Sequence, residues 1–336
     1  MKRILVLIMA VTLLSGCVPF AENQQYNATY LDVFDTVTTI VGHADSQSAF
    51  SAIAKDIHDA LLEYHRLFDI YNDYDDLVNL KTVNDRAGIS PVQVDSKIIA
   101  LLLKCRQIEE MTGGKVNAAM GSVLQLWHQT RTDGLADPEN AKLPSQDALE
   151  EAAKHTDFDS IVVDETNSTV FFTDPLLKLD VGAIAKGWAV QQVAESAPSG
   201  LLISVGGNVF ATGAKDTAGT PWKIGIQNPN GEGYLHAVSI TSGCIATSGD
   251  YQRTYTVKGK AYHHIIDPDT LYPSNLWCSV TVYCDDSGMA DALTTALFLM
   301  SKEDGETLLA QCNALALWVD QNGQEFCSPG FADYLK

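Results

Sequence analysis

"SVTVYCDDSGMADALTTALFLMS", residues 279–301, changes character partway along. Residues 279–284 read as a strand. Residues 288–301 read as a helix whose Leu293, Leu297 and Leu299 predict burial. Asp291 and Thr295 stand four residues apart on one face of that helix. They are a solvated edge, a hydrogen-bonded pair, or two ligands of a hard cation. One carboxylate, one hydroxyl and a backbone carbonyl are too few to hold Mg²⁺ tightly, but they suit Mg²⁺ shared with a substrate's phosphates and water.

Strands and helices mix on both sides of this stretch. Downstream, residues 314–329 predict a hairpin turning at Asn322–Gly323. Upstream, 222–229 and 235–243 predict strands, and 200–213 predicts a strand pair around Gly206–Gly207. Residues 159–173 predict two strands around a turn at Asn167, and 37–43 alternate like a strand. Helical spacing marks 46–68, 95–114 and 183–197, the second stopped by Gly113–Gly114. The polar stretch 130–147, with Gly134, Pro138 and Pro144, predicts a loop. The pattern is mixed α/β with antiparallel pairs, without the regular alternation of a TIM barrel.

The chain has 336 residues, a 46% hydrophobic content and a formal net charge of -20. That acidity argues against nucleic-acid binding, which needs clustered Lys and Arg. Residues 1–17, "MKRILVLIMAVTLLSGC", join Lys2 and Arg3 to an apolar run too short to span a bilayer. This predicts a secretory signal over 1–16. "LLSGC" resembles a bacterial lipobox, so Cys17 is expected to be the lipidated first residue of the mature chain. Residues 17–30 then form a lipidated N-terminus and polar tether, followed by a single domain over 31–336. The expected location is the extracytoplasmic side of the bacterial cell membrane. The other six cysteines contain no CxxC pair, which excludes zinc-ribbon and thioredoxin readings. They are disulfide partners or buried thiols.

Three further stretches carry chemistry. "LDVGAIAKGWAV" (179–190) passes from strand into helix through a glycine turn. It is a close-packed turn or an anion or metal site to which Lys186 adds charge. In "SVGGNVFATG" (204–213), the paired glycines mark a hairpin or a backbone open to a planar ligand. "AYHHIIDPDTLYP" (261–273) sets two histidines side by side. Strand alternation sends Tyr262, His264 and Ile266 to one face and His263, Ile265 and Asp267 to the other. The two histidines are therefore not expected to share a metal.

Taken in order, "LDVGAIAKGWAV", "ISVGGNV", "ATSGDYQRTY", "HHIIDPDTLYP" and "SVTVYCDDSGMADALTTALF" resemble the ApbE family of FAD:protein FMN transferases, from about residue 34 to the C-terminus. The resemblance implies a mixed α/β (α+β) fold with β-rich, T-fold-like halves around a FAD-binding cleft. It implies Mg²⁺-dependent transfer of FMN from FAD to a Ser or Thr hydroxyl of an exported flavoprotein, with AMP leaving. The implied metal donors are the Ala183 carbonyl, Asp291 and Thr295. His264 falls at the family's active-site histidine, a candidate proton acceptor. Ile266, Lys186, Gly206, Gly207, Asn79 and Phe34 fall at positions expected to line the nucleotide. Asn117 falls where many relatives carry Asp, and so keeps hydrogen bonding without the charge. Two other activities compete on the same residues: Mg²⁺-dependent hydrolysis of FAD to FMN and AMP, and a lipoprotein that binds FAD without catalysis.

Overall fold

A computed structural model describes residues 24–335; Cys17 and the expected signal segment lie outside the described residues. In chain order the elements are β1 (Gln24–Val33), β2 (Thr36–Ala44), α1 (Gln47–Phe68), α2 (Leu80–Asp85), β3 (Val92–Gln93), α3 (Ser96–Met111), α4 (Gly121–Ala136), α5 (Gln146–Ala153), β4 (Ile161–Asp164) and β5 (Thr169–Phe172). There follow α6 (Ala185–Ala194), β6 (Leu201–Val205), β7 (Asn208–Ala211), β8 (Trp222–Gln227), β9 (Tyr234–Ile240), β10 (Gly243–Gly249), β11 (Tyr255–Val257) and β12 (Lys260–Tyr262). The chain closes with β13 (Ser279–Cys284), α7 (Ser287–Phe298), α8 (Lys302–Cys312), β14 (Leu315–Val319) and β15 (Glu325–Cys327).

One antiparallel sheet of eight strands organises the molecule, in the order β1-β2-β6-β7-β10-β13-β14-β15. Both of its faces are covered, so its central strands read as nearly unbroken apolar runs rather than as alternation. In β14, "LALWV", Ala316 and Trp318 face the core built with α3 and α7. Leu315 and Leu317 face the β8–β9 hairpin and the turn at Phe331. Farther along the sheet, Ile40, Ile203 and Val205 pack under α1 and α6.

Two segments depart from the sequence expectation. Residues 24–30, read as tether, belong to β1, which pairs with β2 at the sheet edge. Polar residues dominate β1, yet Tyr26 stacks on Phe50 at 5.8 Å and Tyr30 on His58 at 4.1 Å. One side of the strand thus docks on α1. Residues 130–136, read as loop, continue α4. The helix survives Gly134 because that glycine lies under a ring: a Cβ built there would sit 2.9 Å from Tyr255 Cδ2. Tertiary packing here overrides local propensity.

Helices α6 and α7 come into close contact at Gly187. A Cβ on Gly187 would lie 2.3 Å from the Ser287 carbonyl oxygen and 2.5 Å from Asp291 Cβ. Neither backbone yields cheaply, so Gly187→Ala is expected to cost about 2–3 kcal/mol. Chemical denaturation would read this as a lowered midpoint, and an unchanged midpoint would show that the helices can part.

Candidate active site

A cleft of about 300 Å³ gathers residues from distant parts of the chain. That volume is at the lower end of the range for cofactor-sized ligands. Its floor is the α6–α7 contact. Asp291 is 8% exposed and its Oδ2 accepts the Gly187 amide at 2.9 Å. Lys186 Nζ lies 3.4 Å from the same oxygen and donates to the Gly182 carbonyl at 3.0 Å. The Ala183 and Thr295 residues line the same cleft. Ala183, Asp291 and Thr295 thus border one cleft, in which a lysine ammonium already rests among oxygens.

The described residues contain no group of three or more His, Cys, Asp or Glu able to hold a metal. One carboxylate, one hydroxyl and one carbonyl are the donor types that suit a hard cation completing its shell with ligand phosphates and water. A transition metal held by side chains alone does not match this set.

The second wall carries the histidines. The strand ends at Tyr262, one residue before them, so alternation does not govern their directions. They still part company. His263 Nε2 lies 2.6 Å from the Ser274 carbonyl, and His263 Nδ1 accepts the Ile265 amide at 3.2 Å. Since Nδ1 accepts, the proton sits on Nε2. His264 is partly exposed to the cleft as a residue, yet its Nδ1 is fully enclosed and has no hydrogen-bond partner among the described residues. Burial pushes the His264 imidazole down to about 3, helped by the nearby positive charge of Arg253 and by His263 and Lys186. It is neutral at pH 7. Two of the groups that depress it are cations, so an anion bound among them would raise its basicity.

Ile266, beyond the histidines, pairs with Pro273 in an isolated bridge and lines the cleft. Asn117 lines it too, donating to the Thr156 carbonyl at 2.9 Å and accepting the Ala119 amide at 2.8 Å. Gly206 lines it with a φ of 57°, and a Cβ there would lie 2.9 Å from Thr36. Its neighbour Gly207 is not among the lining residues, and a Cβ there would meet nothing within 4 Å.

Phe34 and Asn79 sit elsewhere. Phe34 packs edge-on against His65 at 5.5 Å, while its neighbours Asp35 and Thr36 reach the cleft. Asn79 is fully buried and caps α2: its Oδ1 accepts from the Thr82 amide and hydroxyl, and its Nδ2 donates to the Asn72 carbonyl. Buried in this cap, Asn79 is not among the residues that line the cleft. Several wall residues escaped the sequence reading, among them Tyr71, Lys115, His128, Arg131, Asp180 and Arg253. Asp180 and Arg253 lie inside the quoted motifs. Arg131 and His128 lie on α4, whose second half looked like loop.

The ApbE family profile matches residues 34–318. Among curated relatives, the FAD:protein FMN transferase of Treponema pallidum is 34% identical over 277 residues, covering 76% of this chain and 75% of that protein. One from Klebsiella pneumoniae is 31% identical over 280 residues, covering 79% and 84%. Among solved structures, the ApbE protein of Thermotoga maritima superposes with a TM-score of 0.82 at 30% identity, covering 93% of this chain and all of that one. The flavin transferase ApbE of Vibrio cholerae has a TM-score of 0.77 at 23% identity, covering 94% and 100%, a likeness of fold. With the profile spanning most of its length and a relative 34% identical over 277 residues, the chain belongs to the ApbE family.

Proposed function

We propose that this protein transfers FMN from FAD to a Ser or Thr hydroxyl of an exported flavoprotein, releasing AMP. The observation that carries this reading is the convergence of Ala183, Asp291, Thr295 and His264 on one cleft. The acceptor hydroxyl forms a bond to the phosphorus on the FMN side, and the bond to the bridging oxygen breaks with its electron pair leaving on AMP. His264, neutral at pH 7, accepts the hydroxyl proton. The Ala183 carbonyl, the Asp291 carboxylate and the Thr295 hydroxyl would hold Mg²⁺, which would neutralise pyrophosphate charge. Lys186, tethered beside Asp291, adds positive charge at the same end. Cys17 would tether the enzyme by lipid to the outer side of the membrane, where exported acceptors are found.

Purified protein incubated with FAD, Mg²⁺ and a competent acceptor should leave flavin fluorescence on the acceptor after denaturation. An unlabelled acceptor would overturn the proposal. Rapid AMP release with no acceptor present would instead identify a hydrolase.

A further inference from the structure

Four cations line the cleft, and they keep different company. Lys186 rests against Asp291, and Lys115 bridges Asp267 at 2.9 Å and Asp269 at 2.7 Å. Arg131 on α4 and Arg253 between β10 and β11 have no carboxylate oxygen within 4.0 Å among the described residues. In a chain of net charge -20, that isolation is not a matter of scarce acids. The cleft's other carboxylate on this stretch, Asp180, is turned to the Gly182 amide at 2.8 Å.

The two arginines are also held together. Arg131 Nη1 approaches the Arg253 carbonyl at 3.5 Å, and its Nη2 lies 3.4 Å from His128 Nδ1. Arg131 Nε is enclosed with no partner. Arg253 adopts a φ of 47°, a left-handed conformation that non-glycine residues adopt only at a cost and that often marks a functional site. Burial and the charge of Arg253 both lower the proton affinity of Arg131. Two like charges, one strained and one under-bonded, form a site that an anion would complete.

We infer that Arg131 and Arg253 together bind the phosphate of the departing AMP. This rests on the transferase reading. The FMN-side phosphorus belongs where the metal donors and His264 converge, so the second phosphate of the dinucleotide needs cations of its own. Lys115 is already paired, whereas neither arginine meets a carboxylate among the described residues. Guanidinium forks suit phosphate oxygens, and their charge would stabilise the leaving group as the bridging oxygen takes the electron pair.

Titrations of the purified chain with AMP, adenosine and FMN test this. The wild type should prefer AMP over adenosine. Arg131→Gln and Arg253→Gln should each weaken AMP by about tenfold or more, leaving adenosine and FMN unchanged. Arg106→Gln, which removes a half-buried guanidinium outside the cleft paired with Asp159, should change none of the three. Unchanged AMP affinity in the cleft variants overturns the inference. So does parallel weakening of all three ligands, which would mean the arginines only shape the cleft. A raised acceptor KM with AMP affinity intact would assign them to the acceptor protein and likewise overturn it. Wild-type flavin transfer, assayed on the same preparation, tests the transferase reading separately.

Discussion

Replacing Asp291 by asparagine is expected to lower flavin transfer by about 10³-fold, the loss typical of removing a key charge-stabilising group. The amide keeps the shape, and its oxygen can still accept the Gly187 amide that now bonds the carboxylate at 2.9 Å. What disappears is the charge. Asp291 is the one carboxylate in a donor set otherwise made of a carbonyl and a hydroxyl, so a hard cation would lose its only charged ligand. Lys186 would lose its counter-charge at the same time. The check is an initial-rate series at saturating FAD across Mg²⁺ concentrations. Raising Mg²⁺ should not rescue Asp291→Asn, whereas Thr295→Val, which keeps the carboxylate, should recover in part. Near-wild-type transfer by Asp291→Asn would remove this carboxylate from the chemistry.

The i, i+4 pair of Asp291 and Thr295 was legible because a helix repeats its faces by spacing alone. The sheet was legible where strands are buried on both sides, as in "LALWV" and "SVTVYC". It was not legible in β1, where Tyr26 and Tyr30 find their partners on α1 and the intervening residues are polar. Arg131 failed for a related reason. Its helix extends through Gly134, where Tyr255, far along the chain, packs so closely that no Cβ would fit. Asn79 shows the opposite limit: a buried asparagine in a motif position looks the same in sequence whether it meets a ligand or caps a helix, and here its Oδ1 caps α2 away from the cleft.

The adjacent histidines should fail in different ways when removed, although both border the cleft. His263→Ala deletes the Ser274 and Ile265 hydrogen bonds and an edge-to-face contact with Phe298 at 5.6 Å. The expected loss is about 3 kcal/mol of stability, read as a fall in Tm of roughly 5–10 °C. His264→Ala removes a ring whose Nδ1 is enclosed without a partner, so its Tm should hold or rise. Its flavin transfer should drop by about 10²-fold or more. A pH series separates the two further. The His264 pKa in the folded chain, about 3, lies below that of the unfolded chain, near 6.5, so the unfolded chain binds the proton first on acidification. The cost of keeping this enclosed ring unprotonated in the fold is absent above pH 6.5 and grows as pH falls toward 3, so stability declines over that range. Burial also lowers His263 and His128, which contribute to the same acid limb. Between pH 5 and 6.5 carboxylates with ordinary or lowered pKa values are largely ionised in both states, so the buried histidines dominate the slope there. His264→Ala should make that slope shallower by up to one proton, about 1.4 kcal/mol per pH unit at most. Equal loss of transfer in both variants, with equal Tm, would place the two imidazoles in one role and overturn the division drawn between them.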